Sequence, residues 1–129
     1  MATIEPQLGE KIAEGRTAEI FSLDGDKVVK LFRSWVGKED VQLEATATSV
    51  AQQCGFDAPA IGEFVSIEDR NGFIMERVTG LPVAELLQSN PRKFRRFARE
   101  IAALHLKMHS VENPNLPQQR DRYFERVKQ

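Results

Sequence analysis

The sequence predicts an α+β chain, a five-stranded antiparallel sheet with one helix packed on it, followed by a helical segment. Three observations carry this. The first third alternates apolar and polar residues between tight turns, the period-two pattern of half-buried strands. Residues 38–53 change to helical spacing. Beyond Asn90 the apolar residues Phe94, Phe97, Ile101, Leu104 and Met108 recur at spacings of three and four.

Leu8, Glu10 and Ile12 alternate with Gly9 and Lys11, and the small-residue loop 13–18 follows. Residues 19–23 resume the strand pattern. Asp24-Gly25-Asp26 is a hairpin turn signal. Residues 27–32 are rich in β-branched side chains and give a third strand. A helix is predicted over 38–53, with Val41, Glu44, Ala45, Thr48 and Ala51 on one face. Gly55 stops it, and Pro59 follows. Two more strands are predicted over 61–67 and 73–78, joined by 68–72 with Asn71-Gly72 as the turn.

The remainder is predicted helical. A short helix starts at Gly80-Leu81-Pro82 and runs through Leu87. Asn90 is placed to cap a longer helix over 91–110, with Pro91 at its first position. Its stripe is Phe94, Phe97, Ile101, Leu104 and Met108, surrounded by arginines and Lys93. Residues 113–117 read as a loop and 120–128 as a further helix. The organisation is therefore two parts, 1–78 and 79–129.

Composition excludes several function classes. No apolar run is long enough to span a bilayer, and residues 1–5 lack a basic start before an apolar core. A single cysteine, Cys54, supplies neither an internal disulfide nor a CxxC metal site, which favours a cytoplasmic setting. The net charge of −1 is unevenly spread. Residues 1–91 hold 8 Lys/Arg against 15 Asp/Glu, whereas 92–129 hold 10 against 4. An overall pI near 6.1 argues against nucleic acid as the partner of the basic part. His105 and His109 have a zinc-compatible spacing of four but no third ligand, so they read as surface or interface residues. Trp35 reads as a packing residue after the third strand.

Lys30 is the most informative position. Val28, Lys30 and Phe32 share one face of a strand, which sets a cation among apolar neighbours. The same spacing also suits an edge-strand lysine facing water. A glycine-containing loop lies upstream and a helix with an inward-facing acid, Glu44, lies downstream. A Lys30–Glu44 pair would orient the ammonium towards an anion.

With these parts in this order, the chain resembles the amino-terminal lobe of the protein-kinase-like fold, most closely the aminoglycoside phosphotransferase and choline kinase branch. The resemblance runs from Leu8 to about Val111. It implies that Gly15 and Thr17 cover the phosphates of ATP, that Lys30 touches them, and that Glu44 holds Lys30. It implies that residues 72–80 are the strand and hinge that receive adenine. Glu76 C=O and Val78 N–H would bond the base, Met75 would line the strand beside it, and Ile20 and Val28 would roof the purine. Residues 102–110 resemble the long helix ahead of the family's catalytic loop. The chain departs in two ways. Its loop has one glycine where protein kinases have G-x-G-x-x-G. It also has no His-x-Asp-x-x-x-x-Asn. The catalytic Asp and the Mg2+ ligands are therefore expected in a missing part, and no catalytic or metal-binding residue is assigned here.

The resemblance thus implies the nucleotide-binding lobe of an enzyme that moves the γ-phosphate of ATP to a small-molecule hydroxyl. The alternative is a non-catalytic regulatory or interaction protein that uses the apolar face of helix 91–110. That stripe would contribute about 1.5–3 kcal/mol per large side chain if buried. Self-association through it, as a homo-oligomer, is expected.

Overall fold

The computed structural model describes residues 5–113 and 115–128. Residues 1–4, on which the expectation of no secretory signal partly rests, and Pro114 of the predicted loop lie outside the described residues. The chain divides into two compact units, Met1–Val78 and Thr79–Gln129.

The first unit holds β1 (Lys11–Glu14), β2 (Ala18–Ser22), β3 (Lys27–Phe32), α1 (Lys38–Gln53), β4 (Ile61–Ile67) and β5 (Arg70–Glu76). The strands form one antiparallel sheet in the order β1-β2-β3-β5-β4, as the sequence predicts in class and strand number. The β2–β3 turn closes with Leu23 N–H donating to Lys27 O at 3.1 Å, and Gly25 takes the positive φ of 76° that the turn needs.

Alternation along the strands gives the sheet two apolar faces. On one, Ala18, Phe32 and Phe73 pack with Val41 and Ala45 of α1. On the other, Val29, Leu31, Val65 and Ile74 pack with Leu8, Phe21, Leu23 and Ile67. Phe73 is the pivot of the helix face: its ring lies 5.8 Å from that of Phe32 and 6.4 Å from that of Phe64. α1 has the predicted bounds. Asp40 and Val41 N–H donate to Gly37 O, and Glu39 and Asp40 sit in its first turn, where the helix dipole favours acids. Cys54, half-buried, caps its end, and Gly55 follows at φ 87°.

The β4–β5 hairpin differs from the expected one. Its turn is Glu68-Asp69, with Glu68 at φ 55° and Ile67 paired to Arg70. Asn71-Gly72 lies inside β5. Gly72 faces Leu31 across the ladder, and a Cβ there would collide with the backbone of Lys30 and Leu31. Gly72 is glycine because β3 approaches it closely, not because the chain turns there. β5 also ends at Glu76, two residues before the predicted Val78. Trp35 is exposed, where packing was expected.

The second unit holds α2 (Val83–Ser89), a single 3₁₀ turn at Pro91–Lys93, α3 (Phe94–His109) and α4 (Gln119–Val127). The predicted helix over 91–110 is thus a 3₁₀ turn leading into α3. Asn90 caps with its backbone and not its side chain, because its O accepts Lys93 N–H at 3.1 Å. In the loop before α4, Asn113 Oδ1 accepts the Asn115 N–H at 2.9 Å. Phe94, Ile101, Leu104 and Met108 of α3 are exposed. His105 and His109 stack with ring centroids 6.1 Å apart. Among the described residues no helix is long and apolar enough to cross a membrane.

Candidate functional site

Register places the predicted residues on the sheet. Ile20 pairs with Lys30, and Lys30 with Phe73, in one row across β2, β3 and β5. Val28 pairs with Met75 in the next row. Because side chains two apart on a strand share a face, Ile20, Val28, Lys30 and Met75 form one continuous patch on the face that carries α1. Ile20 and Met75 are half-buried. Val28 is only 2% exposed, so it underlies the patch instead of presenting it.

Lys30 is held from the helix. Its Nζ donates to Glu44 Oε1, and the ammonium lies 5.2 Å from the centre of the Phe32 ring. Burial of Val41 and Ala45 seats α1 on the sheet and brings Glu44, one turn along, to the lysine. A quarter of the Lys30 side chain and 42% of the Glu44 side chain remain exposed. An ammonium fixed at its stem by an apolar floor, oriented by one carboxylate and open to solvent, is suited to an anionic oxygen.

The loop between β1 and β2 stands at the end of this patch. Gly15 N–H donates to Ala18 O at 2.8 Å, which closes it. Thr17 is exposed, and its O accepts Arg33 N–H at 2.8 Å. Neither Arg16 nor Thr17 N–H has a backbone acceptor among the described residues. Gly15 does not adopt a positive φ, and a Cβ there would meet Ala18 O at an ordinary 3.9 Å.

The adenine end is less gathered. Met75 and Glu76 line a depression of about 560 Å³ with Asp26, Lys27, Ile61 and Glu63, where β3 begins and β5 ends. Ile20, Val28 and Lys30 do not line it. Glu76 ties itself to Ala60 twice: its N–H donates to Ala60 O at 2.9 Å, and its Oε2 accepts Ala60 N–H at 3.2 Å. Val78 is exposed.

Around the loop is a charge network that the sequence reading did not assign. Glu19 is buried and accepts from Arg70 at 2.6 Å, with Lys11 and Arg33 each at 3.3 Å. Glu14 takes Lys11 at 3.1 Å and Arg33 at 3.2 Å. The hydrogen bond from Arg70 holds the Glu19 carboxyl below the usual range, against the opposing effect of burial. The Lys11 ammonium does the same for Glu14, and both acids raise Lys11 in return. The available signal was two glutamates flanking a short hairpin loop, an arrangement that needs a cation between them.

Among the described residues no group of three His, Cys, Asp or Glu is placed to hold a metal ion. The Lys30 ammonium and the Arg16 and Thr17 N–H groups are donors suited to anionic oxygens. No protein-family model matches the chain, and no curated protein matches it.

Proposed function

We propose that this chain is the ATP-binding lobe of a small-molecule phosphotransferase of the protein-kinase-like fold. The observation that carries the reading is the Lys30–Glu44 pair, set on the helix face of the sheet beside Ile20 and Met75. Lys30 holds α- and β-phosphate oxygens, and Glu44 keeps its ammonium aimed at them. Arg16 and Thr17 of the loop after β1 supply backbone N–H groups, with the Thr17 hydroxyl, to the phosphates, and Gly15 lets the chain approach them. Ile20 and Met75 contact the purine over Val28, and Glu76 C=O and Val78 N–H bond its edge. Mg2+, when bound with ATP, would neutralise phosphate charge during transfer. In this reading no catalytic base or metal ligand is assigned among these residues, and the acceptor is a small-molecule hydroxyl. The setting is cytoplasmic, and nucleic acid is not a partner.

Calorimetric titration with MgATP tests it. Wild type binds, and Lys30→Ala loses about 1.5–3 kcal/mol, roughly 10–150-fold in Kd, because a charge-assisted hydrogen bond is removed. Equal affinity in the two proteins contradicts the reading.

A second reading has its own observation. Phe94, Ile101, Leu104 and Met108 are exposed along α3, and such a stripe suits a partner or a second copy of the chain. Sedimentation that shows a monomer indifferent to substitution of these residues removes the second copy as its occupant.

A further inference from the structure

Glu14 and Glu19 are register partners, so two carboxylates face each other across the mouth of the β1–β2 loop. Like charges directly opposite destabilise a strand pair. One guanidinium sits between them. Arg33 Nη1 lies 3.3 Å from Glu19 Oε1, and Nη2 lies 3.2 Å from Glu14 Oε2. The same Nη2 reaches Gly15 O at 3.5 Å, and the Arg33 backbone N–H donates to Thr17 O at 2.8 Å. A single residue just past β3 therefore grips both flanks and the tip of the loop. Lys11 also bridges the two acids. Arg70 closes the network onto β3, with Nη2 on Glu19 and Nε donating to Phe32 O at 2.8 Å.

Glycine does not set this loop. Gly15 does not take a positive φ and has space for a side chain. The loop is closed by the Gly15 N–H to Ala18 O hydrogen bond and held from outside by the ion pairs, and Arg16 and Thr17 N–H at its tip have no backbone acceptors among the described residues. We infer that Arg33 is a positioning residue that presets the loop over residues 15–17 to receive an anion. The identity of that anion, the phosphates of ATP, rests on the nucleotide reading above; the clamp itself does not.

Two measurements on the full chain separate them. The first is amide hydrogen exchange without nucleotide, read at Gly15 and at residue 33, whose acceptors are Ala18 O and Thr17 O. Arg33→Gln speeds exchange at both by roughly threefold to fivefold, and Arg33→Lys, which has no two-armed donor, restores it only in part. The second is the Kd for MgATP. Arg33→Gln weakens it by a similar factor. Glu14→Gln is the deciding variant. Removing a negative charge near a polyphosphate tightens binding if Coulomb attraction alone matters, whereas the clamp predicts weakening. Unchanged exchange in Arg33→Gln, or tighter MgATP binding in Glu14→Gln, overturns the inference. Should wild type fail to bind MgATP, ATP is not the loop's anion and the nucleotide reading falls, while the exchange data still decide the clamp.

Discussion

Replacing Gly72 with alanine puts one methyl group where the backbone of β3 already lies. Gly72 is buried in β5, opposite Leu31, and its Cβ would overlap Lys30 O and press on Leu31 Cα. Both atoms belong to a central strand, so no flexible side chain can give way. Overpacking of this kind costs about 1–3 kcal/mol, and obstruction by backbone puts Gly72→Ala towards the upper end. For a unit of this size each kcal/mol lowers Tm by about 4–8 °C, so a loss of roughly 10–20 °C is expected. Circular dichroism melts, with denaturant midpoints at an unchanged m-value, read it directly. Gly15→Ala is the control. Its Cβ meets only Ala18 O, at 3.9 Å, so its Tm should match or slightly exceed wild type through a stiffer unfolded chain. A Gly72→Ala protein that melts within about 2 °C of wild type would refute the close-approach argument. The displaced carbonyl belongs to Lys30, so the same substitution also shifts the Lys30–Glu44 pair.

Two further predictions concern the core and the charge network. Phe73→Ala removes the ring that joins Phe32 and Phe64 under α1, and should cost about 3–5 kcal/mol in denaturant unfolding; a loss below about 1 kcal/mol would show that the ring is not central. Glu14 and Glu19 are held below their ordinary value of 4.5, so each stabilises the fold above that pH and loses its contribution as pH falls through its depressed folded value. Lys11 is raised above 10.5, and its contribution is present below that pH and fades as pH climbs through the raised value. Facing these groups are Lys11, Arg33 and Arg70 on one side and the two acids on the other. Melts of wild type below about pH 4.5 should therefore fall more steeply than those of Glu19→Gln, and parallel curves would contradict the network.

Much of the fold was legible because local signals agreed with the global packing. α1 is bracketed by Gly37 and Gly55, its stripe is periodic, and its bounds coincide with expectation. The β4–β5 turn misled because Asn-Gly is the stronger local hairpin signal, while register was decided by burial. Phe73 and Met75 must face α1 while Ile74 faces the opposite side, and this alternation carries Gly72 into the strand. Close approach of β3 leaves no trace in the residues beside Gly72. Lys30 and Glu44 were readable from two simple periodicities, strand and helix. The clamp was not, since Arg33 pairs with Glu14 at a separation of 19 residues and Arg70 with Glu19 at 51. Such contacts depend on strand order, which periodicity alone does not supply.

The most direct test of the nucleotide site is an NMR titration of the isotope-labelled chain with MgATP, followed at every backbone amide. Shifts should concentrate at Gly15–Thr17, Ile20, Val28, Lys30 and 75–78, and adenosine should reproduce only those at Ile20, Val28 and 75–78. Absence of shifts at saturating MgATP, or shifts confined to α3, would contradict the claim that the Lys30–Glu44 face is where the nucleotide binds.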